Sequence, residues 1–114
     1  MNAHEDYAAL PRPVESVPLP GGGTVHVRDL TIAELRGIDT RADALPERDR
    51  GLAWTLRLVA AALVYADGKP VFETPADPAA DAEQVAEVER WFTPSQLRAI
   101  AEAAAPTRED AKKN

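Results

Sequence analysis

The stretch that most limits how this chain can fold is Gly51 to Ala66, GLAWTLRLVAAALVYA, in which only Thr55 and Arg57 interrupt an apolar or small run. Leu52, Leu56, Val59 and Leu63 recur at helical spacing along one face. Trp54, Leu58, Ala61 and Tyr65 make a second apolar stripe beside it. A helix that is apolar over most of its circumference must be covered on more than one side. The run is therefore expected to be the central helix, with the rest of the chain packed around it. At 16 residues with Arg57 near its middle, it is too short and too charged to span a bilayer.

A chain of 114 residues and 12.3 kDa has the size of one ordinary domain. It buries roughly two thirds of its unfolded surface, enough for a real core without staples. Aromatic residues are only 5% of the chain, so the core is expected to be Leu, Val, Ile and Ala, anchored by two Trp and two Phe. The absence of cysteine excludes disulfides, thiolate nucleophiles and zinc–thiolate centres. The net charge of -6 argues against nonspecific nucleic-acid binding, which rests on Lys and Arg neutralising phosphates. The longest basic cluster is Lys112-Lys113. MNAHEDYAAL lacks the basic start and apolar middle of a signal peptide, so a soluble, cytoplasmic protein is the expectation.

Residues 1–13 show no sustained periodicity and read as a flexible lead-in. From Val14 the pattern alternates. Val17 and Leu19 point one way, Pro20-Gly21-Gly22-Gly23 turns the chain, and Val25 and Val27 return, with Thr24, His26 and Arg28 on the wetter face. Glycines here suit a hairpin turn. A phosphate loop would need Gly-Lys-Ser/Thr and a helix directly after it. Thr31-Ile32-Ala33-Glu34 reads as a capping box, opening a short helix with Ile32, Leu35, Ile38 and Ala42 on one side and ending near Asp43 to Leu45. Pro46 suits the first position of the next helix, and Glu47 and Asp49 complement its N-terminus. That helix is expected to stop at Asp67-Gly68 with Pro70 beyond, after which Val71 and Phe72 fold back. Thr74 to Asp81 reads as a connector. Ala82, Val85, Val88 and Phe92 then share a helical side flanked by Trp91, opposite Glu83, Glu87, Glu89 and Arg90. Thr93-Pro94-Ser95-Gln96 caps a last helix carrying Leu97, Ile100, Ala101 and Ala104. Pro106 to Asn114 reads as a flexible tail. The expected fold is mainly α with a small N-terminal β-hairpin (α+β). About four helices pack around a central apolar helix near residues 47–66, in a single domain over 14–104, with 105–114 as the tail.

Catalysis needs a nucleophile, base or metal cluster on ordered structure. His4 falls in the lead-in, and His26 on the polar face of a strand. His4, Glu5 and Asp6 form only a local trio, costly to order around an ion. Ser16 and Ser95 have no base near them in sequence, and the 19 acidic residues are spaced as solvated helix faces rather than an inward pair. No enzyme, cofactor or metal site is expected. What stands out is a surplus of helical apolar surface in a small acidic protein. Trp54 and Trp91 are candidate interface anchors, weighed against the plainer reading that both fill the core.

The order of these features resembles the tail assembly chaperones of long-tailed bacteriophages and prophages. The resemblance runs from about Val14 to Ala104, through GGGTVHVRDLT, TIAEL, PERDR, GLAWTLRLVAAALVYADGKPVF and TPSQLRAIAEAA. It implies a non-enzymatic role in the bacterial host cytoplasm during virion assembly. Such proteins bind the tape measure protein, keep its long helices soluble, help recruit tail tube subunits and are absent from the finished particle. A ribosomal frameshift near the gene's end often appends a domain that contacts the tube protein, and an adenine-rich run encoding Lys112-Lys113-Asn114 would suit one. Self-association is a further possibility the resemblance leaves open. The expected client site is a groove between the central helix and the last two, with Trp54, Trp91, Phe92 and Leu97 as its protein-binding residues. The alternatives are a structural head–tail joining component and a small acidic protein-binding regulator from a mobile element.

Overall fold

Gly21, Gly22 and Gly23 all take positive φ, at 89°, 107° and 87°, backbone that residues with a Cβ rarely adopt. They reverse the chain between strand β1 (Val14–Pro18) and strand β2 (Thr24–Arg28). Within the turn, the Leu19 amide donates to the Gly23 carbonyl and the Gly22 amide to the Leu19 carbonyl, both at 3.0 Å. The structure is a computed structural model and describes residues 12–104. Residues 1–11 of the lead-in, with the His4-Glu5-Asp6 trio, and the C-terminal tail with Lys112-Lys113 lie outside the described residues, whereas Arg12, expected in the flexible lead-in, is tied to the Asp29 carbonyl and to Glu34. The register sets Val17 opposite Val25 and Glu15 opposite Val27. Val17 and Val27 are buried, which is the alternation the sequence displays.

Helix α1 (Ile32–Asp43) opens on the expected capping box. The Glu34 amide donates to Thr31 Oγ1 at 3.1 Å, and the Thr31 amide donates to Glu34 Oε1 at 2.7 Å. Ile38 and Ala42 are buried, but Ile32 is exposed. Burial on this face begins only at the half-buried Leu35.

Helix α2 (Glu47–Ala62) touches every other helix among the described residues. Leu58, Val59 and Ala62 are fully covered, so the central role expected of the apolar run is what the structure shows. Its length differs. The helix ends at Ala62, and Leu63–Val64 form strand β3. Val27 pairs with Leu63 and His26 with Val64, giving an antiparallel sheet ordered β1-β2-β3. Both residues stay buried, so the switch costs no apolar contact while giving β2 a second hydrogen-bonded neighbour. Asp67-Gly68 is then a tight turn rather than a helix cap. Gly68 has φ 90°, its amide donates to the Tyr65 carbonyl, and the Tyr65 amide donates to the Lys69 carbonyl, both at 2.8 Å. Val71 returns its amide to the Leu63 carbonyl at 3.1 Å. Asp-Gly between apolar runs is a strong hairpin signal, and here it prevails over the helical reading.

Helix α3 (Pro78–Trp91) is capped by Asp77, whose Oδ1 accepts from the Ala80 amide at 2.8 Å. The connector is therefore shorter than expected, and Asp81 belongs to the helix's first turn. Val88 is fully buried and Val85 half-buried, whereas Ala82, expected on the same side, is exposed. Helix α4 (Pro94–Ala104) carries the expected cap, with the Thr93 amide donating to Gln96 Oε1 at 2.9 Å and the Gln96 amide to Thr93 Oγ1 at 3.3 Å. Its buried face, Leu97, Ile100 and Ala104, meets both β1 and β2 as well as α2. Gln96 Nε2 also donates to the Pro20 carbonyl at 3.2 Å, tying the helix start to the glycine turn. Val17, Val27, Ile38, Leu58, Val59, Val88 and Ile100 belong to one core cluster, fed by all four described helices and the sheet.

Candidate functional site

The helix stripe that α2 leaves uncovered defines the first depression. Leu52 is 63% exposed and lines the depression between α2 and α4. Between the two helices runs an open groove of about 340 Å³, walled by Gly51, Leu52, Thr55, Pro94, Leu97 and Ala101, with the exposed Arg98 and Glu102 also lining it. Of the residues singled out in the sequence, Leu97 lines this groove and is itself buried. Trp91 and Phe92 sit together at the junction of α3 and α4, with ring centroids 6.3 Å apart and edge to face. Trp91 is 47% exposed and stacks on Phe72 at 5.2 Å. Trp54 is on another side of α2: its Nε1 donates to Asp39 Oδ1 on α1 at 2.6 Å. The four residues therefore do not converge on one surface. Trp54 belongs to the α1–α2 seam, and the groove's exposed apolar residue is Leu52.

A second depression lies between α1, α2 and α3 and is built on charges that the sequence pattern alone places at the surface. Arg57, which reads as a mere interruption of the apolar run, is buried at 9% exposure, and Asp81, expected in a connector, at 8%. Arg57 Nε and Nη2 both donate to Asp81 Oδ2, at 3.1 and 2.6 Å, and Nη1 donates to the Ala53 carbonyl at 3.1 Å. Arg41 Nε lies 3.2 Å from the other oxygen, Asp81 Oδ1, but is turned so that its N–H does not point at it. Asp81 thus answers two guanidiniums. The sequence does carry a signal for this: an arginine inside an otherwise apolar helix needs an acidic partner.

Glu34 is the corresponding acidic hub at the start of α1. Its Oε1 accepts from Arg12 Nη1 at 2.6 Å and from the Thr31 amide, while Arg28 Nη2 lies 3.5 Å from Oε2. Burial pushes the Glu34 carboxyl up, but the Thr31 amide, Arg12 and Arg28 together outweigh it and hold it below its ordinary 4.5. The two acidic hubs border a pocket of about 260 Å³ whose lining includes Arg28, Arg41, Arg57, Phe72 and Val85.

The β1–β2 register brings Ser16 directly opposite His26, with Oγ 3.2 Å from Nδ1. Ser16 therefore does have a base beside it, delivered by strand pairing across the turn. Neither residue lines either depression. Among the described residues, no group of three or more His, Asp or Glu is placed to hold a metal ion, and no helix is long and apolar enough to cross a membrane. Against known protein families, curated proteins and solved structures, the chain has no match. The class that the fold itself establishes is a mainly α, α+β domain with a three-stranded antiparallel sheet.

Proposed function

We propose that this chain is a tail assembly chaperone of a long-tailed bacteriophage or prophage. It acts in the host cytoplasm, binds the tape measure protein, keeps that client soluble and is left out of the finished particle. A frameshifted extension of the chain supplies the contact with tail tube subunits. The reading rests on the order of sequence features that resembles this family. The structural observation that carries it is the open apolar groove between α2 and α4, with Leu52 at 63% exposure. Laying one apolar face of an amphipathic helix into such a groove is a common recognition mode, and the tape measure client is a long helical protein. The exposed carboxylates Glu83, Glu89 and Glu102 supply the like charge that keeps a holdase soluble while it offers apolar surface.

Co-expression with segments of the tape measure protein tests this. The chain is expected to raise the soluble fraction of the client, and Leu52→Asp to abolish that effect while leaving the melting temperature near wild type, because Leu52 is mostly outside the core. Unchanged client solubility with the wild-type chain would refute the chaperone reading. Recovery of the chain from purified virions in fixed ratio to the tail would instead make it a structural joining component.

A further inference from the structure

The groove between α2 and α4 carries two charges that the chain itself leaves unused. Arg98 and Glu102 stand one turn apart on α4, both exposed and both lining the groove. Neither side chain has an ion-pair or hydrogen-bond partner among the described residues. On a helix, an acidic residue pairs better with a basic one four positions later than in the reverse order, and here the arginine comes first. Beside these charges the groove is apolar and built of small residues. Leu52 stands 63% exposed, while Gly51, Thr55 and Ala101 line the same depression. A Cβ built on Gly51 would meet nothing within 4 Å. The groove thus presents an apolar knob, open space next to it, and one charge of each sign.

A contact between identical chains closes on itself when one patch complements its own copy under a two-fold rotation. Setting α4 antiparallel to α4 of a second copy brings Arg98 of each chain to Glu102 of the other, so one rotation answers all four charges. An unrelated partner would have to carry an acidic and a basic side chain at the matching spacing and in the matching order; a second copy already does. We propose that this groove is the contact between two copies of the chain, joined through antiparallel α4 helices, with Leu52 of each copy seated over Gly51 and Ala101 of the other. A depression of about 340 Å³ holds a few side chains, far less than the core of a permanent dimer, so the association is weak and exchangeable. A dissociation constant between about 10 μM and 1 mM is expected, which leaves the dilute chain a monomer and covers Leu52 when the protein is concentrated. The pairing goes beyond the chaperone reading and does not depend on it; under that reading, a client enters the groove by displacing the second copy.

The test is sedimentation equilibrium of the full chain from about 10 μM to 1 mM, with methyl NMR spectra recorded over the same dilution. No client is present, so the outcome is separate from that of the chaperone reading. The wild-type chain is expected to pass from monomer to dimer, with concentration-dependent shifts at Leu52, Thr55 and Ala101. Arg98→Glu and Glu102→Arg should each weaken the dimer at least about tenfold, because each reversal turns two attractive contacts repulsive and one exposed pair is worth up to about fivefold. An equimolar mixture of the two variants should recover the association, since the reversed charge of each meets its opposite on the other chain. Leu52→Asp should stay monomeric throughout. All three positions are exposed, so thermal melts of the variants are expected near wild type; the dilution shifts of the wild-type chain need no variant. A wild-type chain monomeric at about 1 mM, an assembly larger than a dimer, a dimer indifferent to both reversals, or a mixture that fails to recover would each overturn the proposal.

Discussion

Removing Asp81 should damage this protein far more than its place near the start of a helix suggests. In Asp81→Ala, Arg57 keeps only its 3.1 Å bond to the Ala53 carbonyl. It loses both donations to Asp81 Oδ2 while remaining in a site where it is 9% exposed. Arg41 loses its ion-pair contact at the same time. Breaking a buried pair from one side costs ~3–5 kcal/mol, because the other charge is left uncompensated. In a domain whose whole stability is about 5–15 kcal/mol, that is a drop in melting temperature of roughly 12–40 °C at about 4–8 °C per kcal/mol. Arg57→Met should cost less, because Asp81 still faces Arg41, and the double variant Arg57→Met/Asp81→Leu should be more stable than Asp81→Ala alone. Urea melts followed by far-UV circular dichroism give the three free energies directly. If Asp81→Ala falls within about 1 kcal/mol of wild type, or the double variant is the least stable of the three, the pair is not a desolvated hub and the reasoning fails.

Two further measurements test other regions of the structure. Glu34 is held below its ordinary 4.5 in the folded state, so its contribution is present above that value and is lost as the pH falls through the depressed folded one; Glu34→Gln should therefore flatten the acid limb of stability below pH 4.5, and an unchanged limb would mean that its partners do not act on the charge. In the core, Leu58→Ala should cost ~2–5 kcal/mol from a fully covered site, whereas Leu52→Ala, less than two turns away on the same helix, should stay within about 0.5 kcal/mol; equal losses in chemical denaturation would mean that the groove is closed in solution.

Local chemistry makes much of the fold legible. The capping boxes at Thr31 and Thr93 and the glycine turn each act within four residues or fewer, and each appears where the sequence signals it. The mainly α architecture around the apolar run also follows from periodicity. The end of that run does not. Leu63 fits the helical stripe as well as it fits a strand, Val64 is apolar enough for either, and what decides is β2, which lies more than thirty residues earlier in the chain and pairs with both. A burial pattern tells that a residue is inside, not which neighbour it hydrogen-bonds to, so the third strand is beyond what periodicity can resolve.

The charged pocket escapes a residue-by-residue reading for a related reason, and it shows where such a reading should press harder. Arg57 counts against membrane insertion and otherwise passes as an interruption, while Asp81 falls within a Pro/Ala/Asp run that resembles a connector. Each looks ordinary alone. Their meaning lies in the pairing across 24 residues, and an arginine on the core side of an apolar helix already demands such a partner, because an unanswered guanidinium cannot stay there. Asp77 and Asp81 both lie where a helix start would hold a carboxylate, and the geometry gives them different tasks: Asp77 caps the backbone, and Asp81, one turn further, turns inward to Arg57. The apolar candidates go the other way. Trp54 is favoured by its size, yet its indole N–H is engaged by Asp39, whereas the smaller Leu52 is the residue left in the open. Residue type proposes anchors and partners; the contacts each side chain makes in the folded chain, Trp54 with Asp39 and Leu52 with little, decide which of them meets solvent.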